Sequence, residues 1–152
     1  MSATLSTVEE VQNDLVAECL AIQQANGYRS NVQQVAKVFL DINSLTEFPV
    51  VSVILGREGM RAGDSARTAW DSRPVVYFIG YAHRSDLETL LHDLKRVAVK
   101  VSLEHVAVVA PQSRWMVDAQ EITVGRDVMS TEEKSWVSVS FTVKVPAQDV
   151  NL

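Results

Sequence analysis

The sequence predicts an α+β domain of two layers, a mostly antiparallel sheet with two helices packed on one face, in the element order α-β-β-β-α-β-β. Three observations lead to that class. Leu87, Leu90, Leu91, Leu94, Val97, Ala98 and Val101 keep helical spacing without a miss, with Glu88, Asp93, Lys95, Arg96 and Lys100 assigned to the opposite face. Residues 135–145 alternate: Val137, Val139, Phe141, Val143 and Val145 share one side of a strand, and Trp136, Ser138, Ser140, Thr142 and Lys144 the other. Apolar residues, 47% of the chain, spread along all 152 positions, which suits one core and one domain spanning 1–152.

The elements follow in order. Ser6-Thr7-Val8-Glu9 has the form of a capping box, and Val8, Val11, Leu15, Cys19 and Ile22 make an apolar stripe that Asn26-Gly27 should stop. Residues 32–40 are rich in β-branched side chains and read as a strand, with helix as the competitor. Residues 41–47 are polar and turn-like. Residues 48–55 read as a buried strand with Pro49 at its start, where no ladder donor is needed, and Gly56 as its end. Residues 57–72 show no sustained period and read as a long loop. The near-continuous apolar run 75–82 implies a strand covered on both faces. Ser85 should cap the second helix, with Glu88 closing the box and the basic residues near its C-terminal end. Residues 106–110 are apolar but fit either strand or helix. Residues 119–124 alternate as a strand, and 125–133 form a turn before the last strand. No internal repeat or low-complexity tract appears.

Composition narrows function. A net charge of −5 argues against a domain built chiefly to hold a nucleic-acid backbone. No basic region precedes an apolar run at the N-terminus, and no stretch approaches the roughly 18 apolar residues of a membrane span, so the chain is expected to start out in the cytoplasm without membrane contact. Cys19 is the single cysteine and sits within the first apolar stripe, as a small buried hydrophobe.

A search for chemistry finds little. The chain lacks the Gly-x-Ser-x-Gly elbow, the phosphate-binding glycine loop and the His-Glu-x-x-His zinc pair. His83 ends a strand just before a helix, where active sites occur in other α/β proteins, but it reads first as a helix-flanking surface histidine. His92 falls off the buried stripe, and nothing brings His105 near either. Glu58, Asp64 and Asp71 share the 57–72 loop and read as solvated charges. No catalytic residue, cofactor or metal is therefore expected, and the protein is expected not to be an enzyme. The same loop interleaves Arg57, Arg61, Arg67 and Arg73 with Met60 and Trp70, residue types enriched at the centres of protein interfaces. Together with Trp136 on the polar side of the last strand, these seven residues are the candidate subunit interface.

The assembled pattern resembles the tail terminator and tail-completion proteins of long-tailed bacteriophages. The resemblance is carried by the first amphipathic helix, by Gly27-Tyr28-Arg29-Ser30-Asn31 leading into a strand, and by Glu47-Phe48-Pro49-Val50-Val51-Ser52-Val53-Ile54-Leu55-Gly56. The strand 75–82, the helix from Asp86-Leu87-Glu88-Thr89-Leu90-Leu91-His92-Asp93-Leu94-Lys95 and the closing strand to Val145 complete it, so that it covers roughly residues 5–146. It is a resemblance of pattern, since the family has no catalytic motif. It implies a homohexameric ring on the last ring of the tail tube, which stops polymerisation and offers a surface for joining the head. The implied partners are further copies of the chain, the tail tube protein and a neck or head-completion protein, with DNA passing through unbound. The implied location is the virion, after assembly in the host cytoplasm. The family transfers no functional residue position by position, and the Arg-rich loop departs from it. Other expectations to weigh are a different neck or tube component, or a small ligand-binding or enzymatic domain using His83 and the loop carboxylates.

Overall fold

The computed structural model describes residues 7–62, 70–106, 115–118 and 121–145. Helix α1 spans Thr7–Leu20, strand β1 Gln34–Ala36, β2 Val50–Ala62 and β3 Trp70–His83; α2 spans Leu87–Glu104, β4 Met116–Val117, β5 Thr123–Arg126 and β6 Lys134–Lys144. The strands form one mixed, mostly antiparallel curled sheet in the order β1-β2-β3-β6-β4, with β5 also paired to β6. Among the described residues only the β1–β2 pair is parallel. The α+β class and its helical cover are as the sequence predicts.

Strand period explains why the core lies on one side. Val51, Gly80 and Val137 form one cross-strand row, and Val53, Phe78, Val139 and Val124 the next. These rows meet Val11, Leu15 and Cys19 of α1 and the leucine stripe of α2 in a single cluster, all but the half-buried Val124 shielded from solvent. Gly80 marks the closest approach: a Cβ there would stand 2.7 Å from Leu90 Cδ2 and 3.0 Å from Leu94 Cδ1. Trp115, which the sequence had not assigned, closes one end of the core. Its Nε1 donates to Asp14 at 3.0 Å and its ring stacks on His105 with centroids 3.8 Å apart.

Several expectations change. Asp93 is not on the solvated face of α2 but is 0% exposed, among the leucines. Its Oδ1 accepts the Arg29 amide at 3.1 Å and its Oδ2 the Ser30 amide at 2.8 Å, so the carboxylate pins the stretch after Gly27. Gly27, at φ +89°, ends a 3-10 turn, Gln24–Asn26, instead of ending α1 itself. Ser85 lies in another such turn, Arg84–Asp86, and α2 begins with Asp86 as N-cap and no side-chain capping bond. Glu88 closes no box because a stronger partner is in reach: Arg126 of β5 binds both its oxygens, at 2.6 and 3.2 Å. The last turn of α2 holds no base; Lys100, earlier, reaches Glu18 at 2.6 Å and Glu104 at 3.3 Å. The capping residue proposed for α1, Ser6, lies outside the described residues, as do residues 107–110.

The strand expected over 32–40 shrinks to β1. Beyond it the chain leaves the ladder and crosses the other side of the sheet, held where the Ser52 hydroxyl donates to the Val38 carbonyl at 2.8 Å. Gly56 does not end β2. A register shift between Leu55 and Glu58 absorbs it, and pairing resumes from Glu58↔Pro74 to Ala62↔Trp70. Of the expected 57–72 loop, the described residues 57–62 and 70–72 therefore extend the β2–β3 hairpin. The strand expected over 119–124 sits later, and Gly125 and Arg126, assigned to a turn, belong to β5. One more short strand, β4, follows α2.

Candidate assembly surface

On the side of the sheet away from the helices, the rows are Val50, Tyr81 and Trp136; then Ser52, Ile79 and Ser138; then Ile54, Tyr77 and Ser140. Large side chains stand at the ends of this array and small ones, Ser138 among them, near its middle. The result is an open cavity of about 560 Å³ lined by Phe39, Ile54, Gly56, Tyr77, Ile79, Tyr81 and Trp136 with few polar groups. Gly56 shapes its floor, because any Cβ there would fall 2.5 Å from the Tyr77 ring. The segment after β1 forms one wall: the Leu40 amide donates to the Tyr81 hydroxyl at 3.3 Å, and Phe39 stands 71% exposed on the rim. Val50 and Ser52, nearer that wall, are buried.

This geometry corrects the expectation for 75–82. The run is apolar on both sides, yet only its Val76, Phe78, Gly80 side is covered by helices; Tyr77 and Ile79 are half-buried against the open cavity. That mismatch, a strand apolar on both faces in a sheet with helices on one, was the available sign of Tyr77, Ile79 and Tyr81, which sequence reasoning missed. No family model and no curated protein matches this chain.

The predicted interface residues divide. Trp136, 38% exposed, lines the cavity. Arg57 is exposed beside Gly56. Arg73 is turned to structural use, as an ion pair with Asp118. Met60, Arg61 and Trp70 lie on the hairpin extension, opposite Ser72, Asp71 and Ala62. Arg67 lies outside the described residues, as does Asp64.

Among the described residues, the histidines and loop carboxylates singled out from the sequence stand apart. Glu58 accepts a hydrogen bond from the Ser72 hydroxyl, and Asp71 faces Lys144 at 3.6 Å. His83 ends the same strand on which Asp71 stands near the start; at about 3.3 Å per residue, roughly 35–40 Å of strand separates them. Phe48 packs on the His83 ring with centroids 4.9 Å apart, and Glu133 lies 3.7 Å from its Nδ1. His92 is on α2 and His105 beneath Trp115. Among the described residues no three His, Cys, Asp or Glu side chains are grouped to hold a metal ion, and no helix is long and apolar enough to cross a membrane.

Proposed function

We propose that the protein is a structural subunit that closes with copies of itself into a ring, and that this ring caps the end of a phage tail tube. There it stops tube polymerisation and provides the surface to which a neck or head-completion protein joins. One observation carries the assembly part: an open apolar hollow on the second face of the sheet, lined by Phe39, Tyr77, Tyr81 and Trp136 and covered by no helix. Tyrosine and tryptophan in a desolvated hollow are the residues that carry most binding energy at interfaces. The tail-tube part rests on the sequence resemblance. DNA would pass through the ring without being held, in keeping with a net charge of −5.

Negative-stain microscopy of the purified protein, with light scattering for mass, tests this. Discrete rings are the expected outcome; long tubes favour another tube component, and a monomer at every concentration overturns self-assembly. Tight retention of DNA at physiological salt would contradict passage without binding. The cavity's volume also falls in the range that small ligands fill, which favours one second reading, an apolar-ligand-binding domain. Such a protein would stay monomeric and bind an environment-sensitive apolar dye tightly.

A further inference from the structure

The turn between β5 and β6 displays Val128 and Met129, 81% and 89% exposed, the most exposed large apolar side chains among the described residues. The turn is firmly braced. Asp127 accepts the Ser130 amide at 3.1 Å and the Ser135 hydroxyl at 2.7 Å, and the Ser130 hydroxyl accepts the Glu132 amide at 3.1 Å. From outside the turn, Arg84 Nε donates to the Glu132 carbonyl at 2.8 Å and the Arg84 amide to that of Glu133 at 2.6 Å. A rigid projection of this kind loses little conformational freedom on docking.

We propose that Val128 and Met129 of one copy seat in the outer-face cavity of a second copy. The inference rests on the reading of the protein as a self-assembling subunit and adds to it which surfaces meet. Charge favours this pairing. Glu132, three residues beyond Met129, is an exposed carboxylate and Arg57, beside Gly56 of the cavity, an exposed cation, and among the described residues neither has an ion-pair partner. The other sizeable hollow, about 600 Å³ beside Tyr28 and beside Val99 and Leu103 of α2, is more open and ringed by His92, Lys95, Arg96, Lys100 and Glu104, a charged rim poorly suited to two apolar side chains. There Lys100 is taken by Glu18 and Glu104, while Arg96 lies 4.5 Å over the Tyr28 ring and donates to the Gly27 carbonyl. The projection sits at an end of the sheet and the cavity opens on its face, so the contact is heterologous: each copy gives its turn to one neighbour and its cavity to another.

The test uses two variants and their mixture. Val128→Asp with Met129→Asp removes the projection, and Phe39→Asp spoils the cavity; all three positions are exposed enough to leave folding intact, which circular dichroism checks. Each variant alone is expected to fall to the mass of one subunit. Mixed in equal amounts they are expected to give twice that mass and no more, because one intact contact survives. A projection variant that assembles like the unmodified protein overturns the pairing while leaving self-assembly standing. So does a mixture that stays monomeric. An unmodified protein that is itself monomeric overturns self-assembly and the pairing with it.

Discussion

Asp93 receives two backbone amides, from Arg29 and Ser30, on a carboxylate that is itself fully buried. Hydrogen bonds to charged groups are worth about 1.5–3 kcal/mol each, and buried donors left without a partner add to the loss. Asp93→Ala is accordingly expected to destabilise the fold by roughly 3 kcal/mol or more in urea unfolding, and Asp93→Asn, which keeps an acceptor, by clearly less. Cys19 behaves in the opposite manner. Burial, aided by the Glu18 carboxylate, pushes its thiol far above the usual cysteine range. The thiol is expected to resist alkylation in the native protein at neutral pH and to react fully once urea unfolds the chain.

Asp127 is sensitive to acid. The Ser135 hydroxyl, then the Ser130 and Met129 amides, hold its carboxyl below the usual aspartate range, against the opposing effect of burial. A carboxyl lowered in the folded state takes up protons more readily when unfolded, so its contribution is present in full above the ordinary aspartate pKa. It is lost as pH falls through the lower, folded value. The β5–β6 turn should therefore loosen early on acidification below about pH 4, seen as faster exchange of the Ser130 amide, and Ser135→Ala should move that loosening to higher pH.

The elements that were legible in the sequence are those whose burial repeats with their own period. The stripe of α2 and the alternation of β6 are written over many residues, so every position of each that was assigned to the core is buried. Features that turn on one residue meeting a distant one were not legible. Asp93 looks like any other charge on a helix until Arg29 and Ser30 are brought to it. Glu88 looks like half of a capping box until Arg126 arrives from β5, and Gly56 looks like a terminator until the facing Tyr77 ring requires it. Of the candidate interface, Trp136 was found because it interrupts a polar face. Tyr77 and Tyr81 were hidden in a run that looked wholly interior. The junction of α2 with the sheet offers a direct check. Gly80→Ala drives a methyl into Leu90 and Leu94, and is expected to cost about 1–3 kcal/mol in thermal or chemical unfolding.

For the molecule as a unit, the two sides of the sheet have different roles. One is sealed by α1 and α2 and sets stability; the other is available for contact. On the proposed self-assembly, Trp136→Ala should leave unfolding nearly unchanged yet weaken association by about 2 kcal/mol, roughly thirtyfold in the dissociation constant, as measured by sedimentation. Opposite behaviour, a large stability loss with association intact, would assign Trp136 to the fold.

The strands at the margins of the sheet are short: three residues in β1 on one side, two in β4 and four in β5 on the other. β1 covers only Val50, Val51 and Ser52, so among the described residues the rest of β2 has no strand beside it on that side. A long flat margin would invite another chain to add its own strand, and that growth has no natural end. Here the irregularity between Leu55 and Glu58 and the exposed charges of Arg57 and Glu58 interrupt it, so a visiting strand finds no long even run of amides and carbonyls. Whatever order the protein adopts with its neighbours is thereby left to side chains, which match one partner and stop.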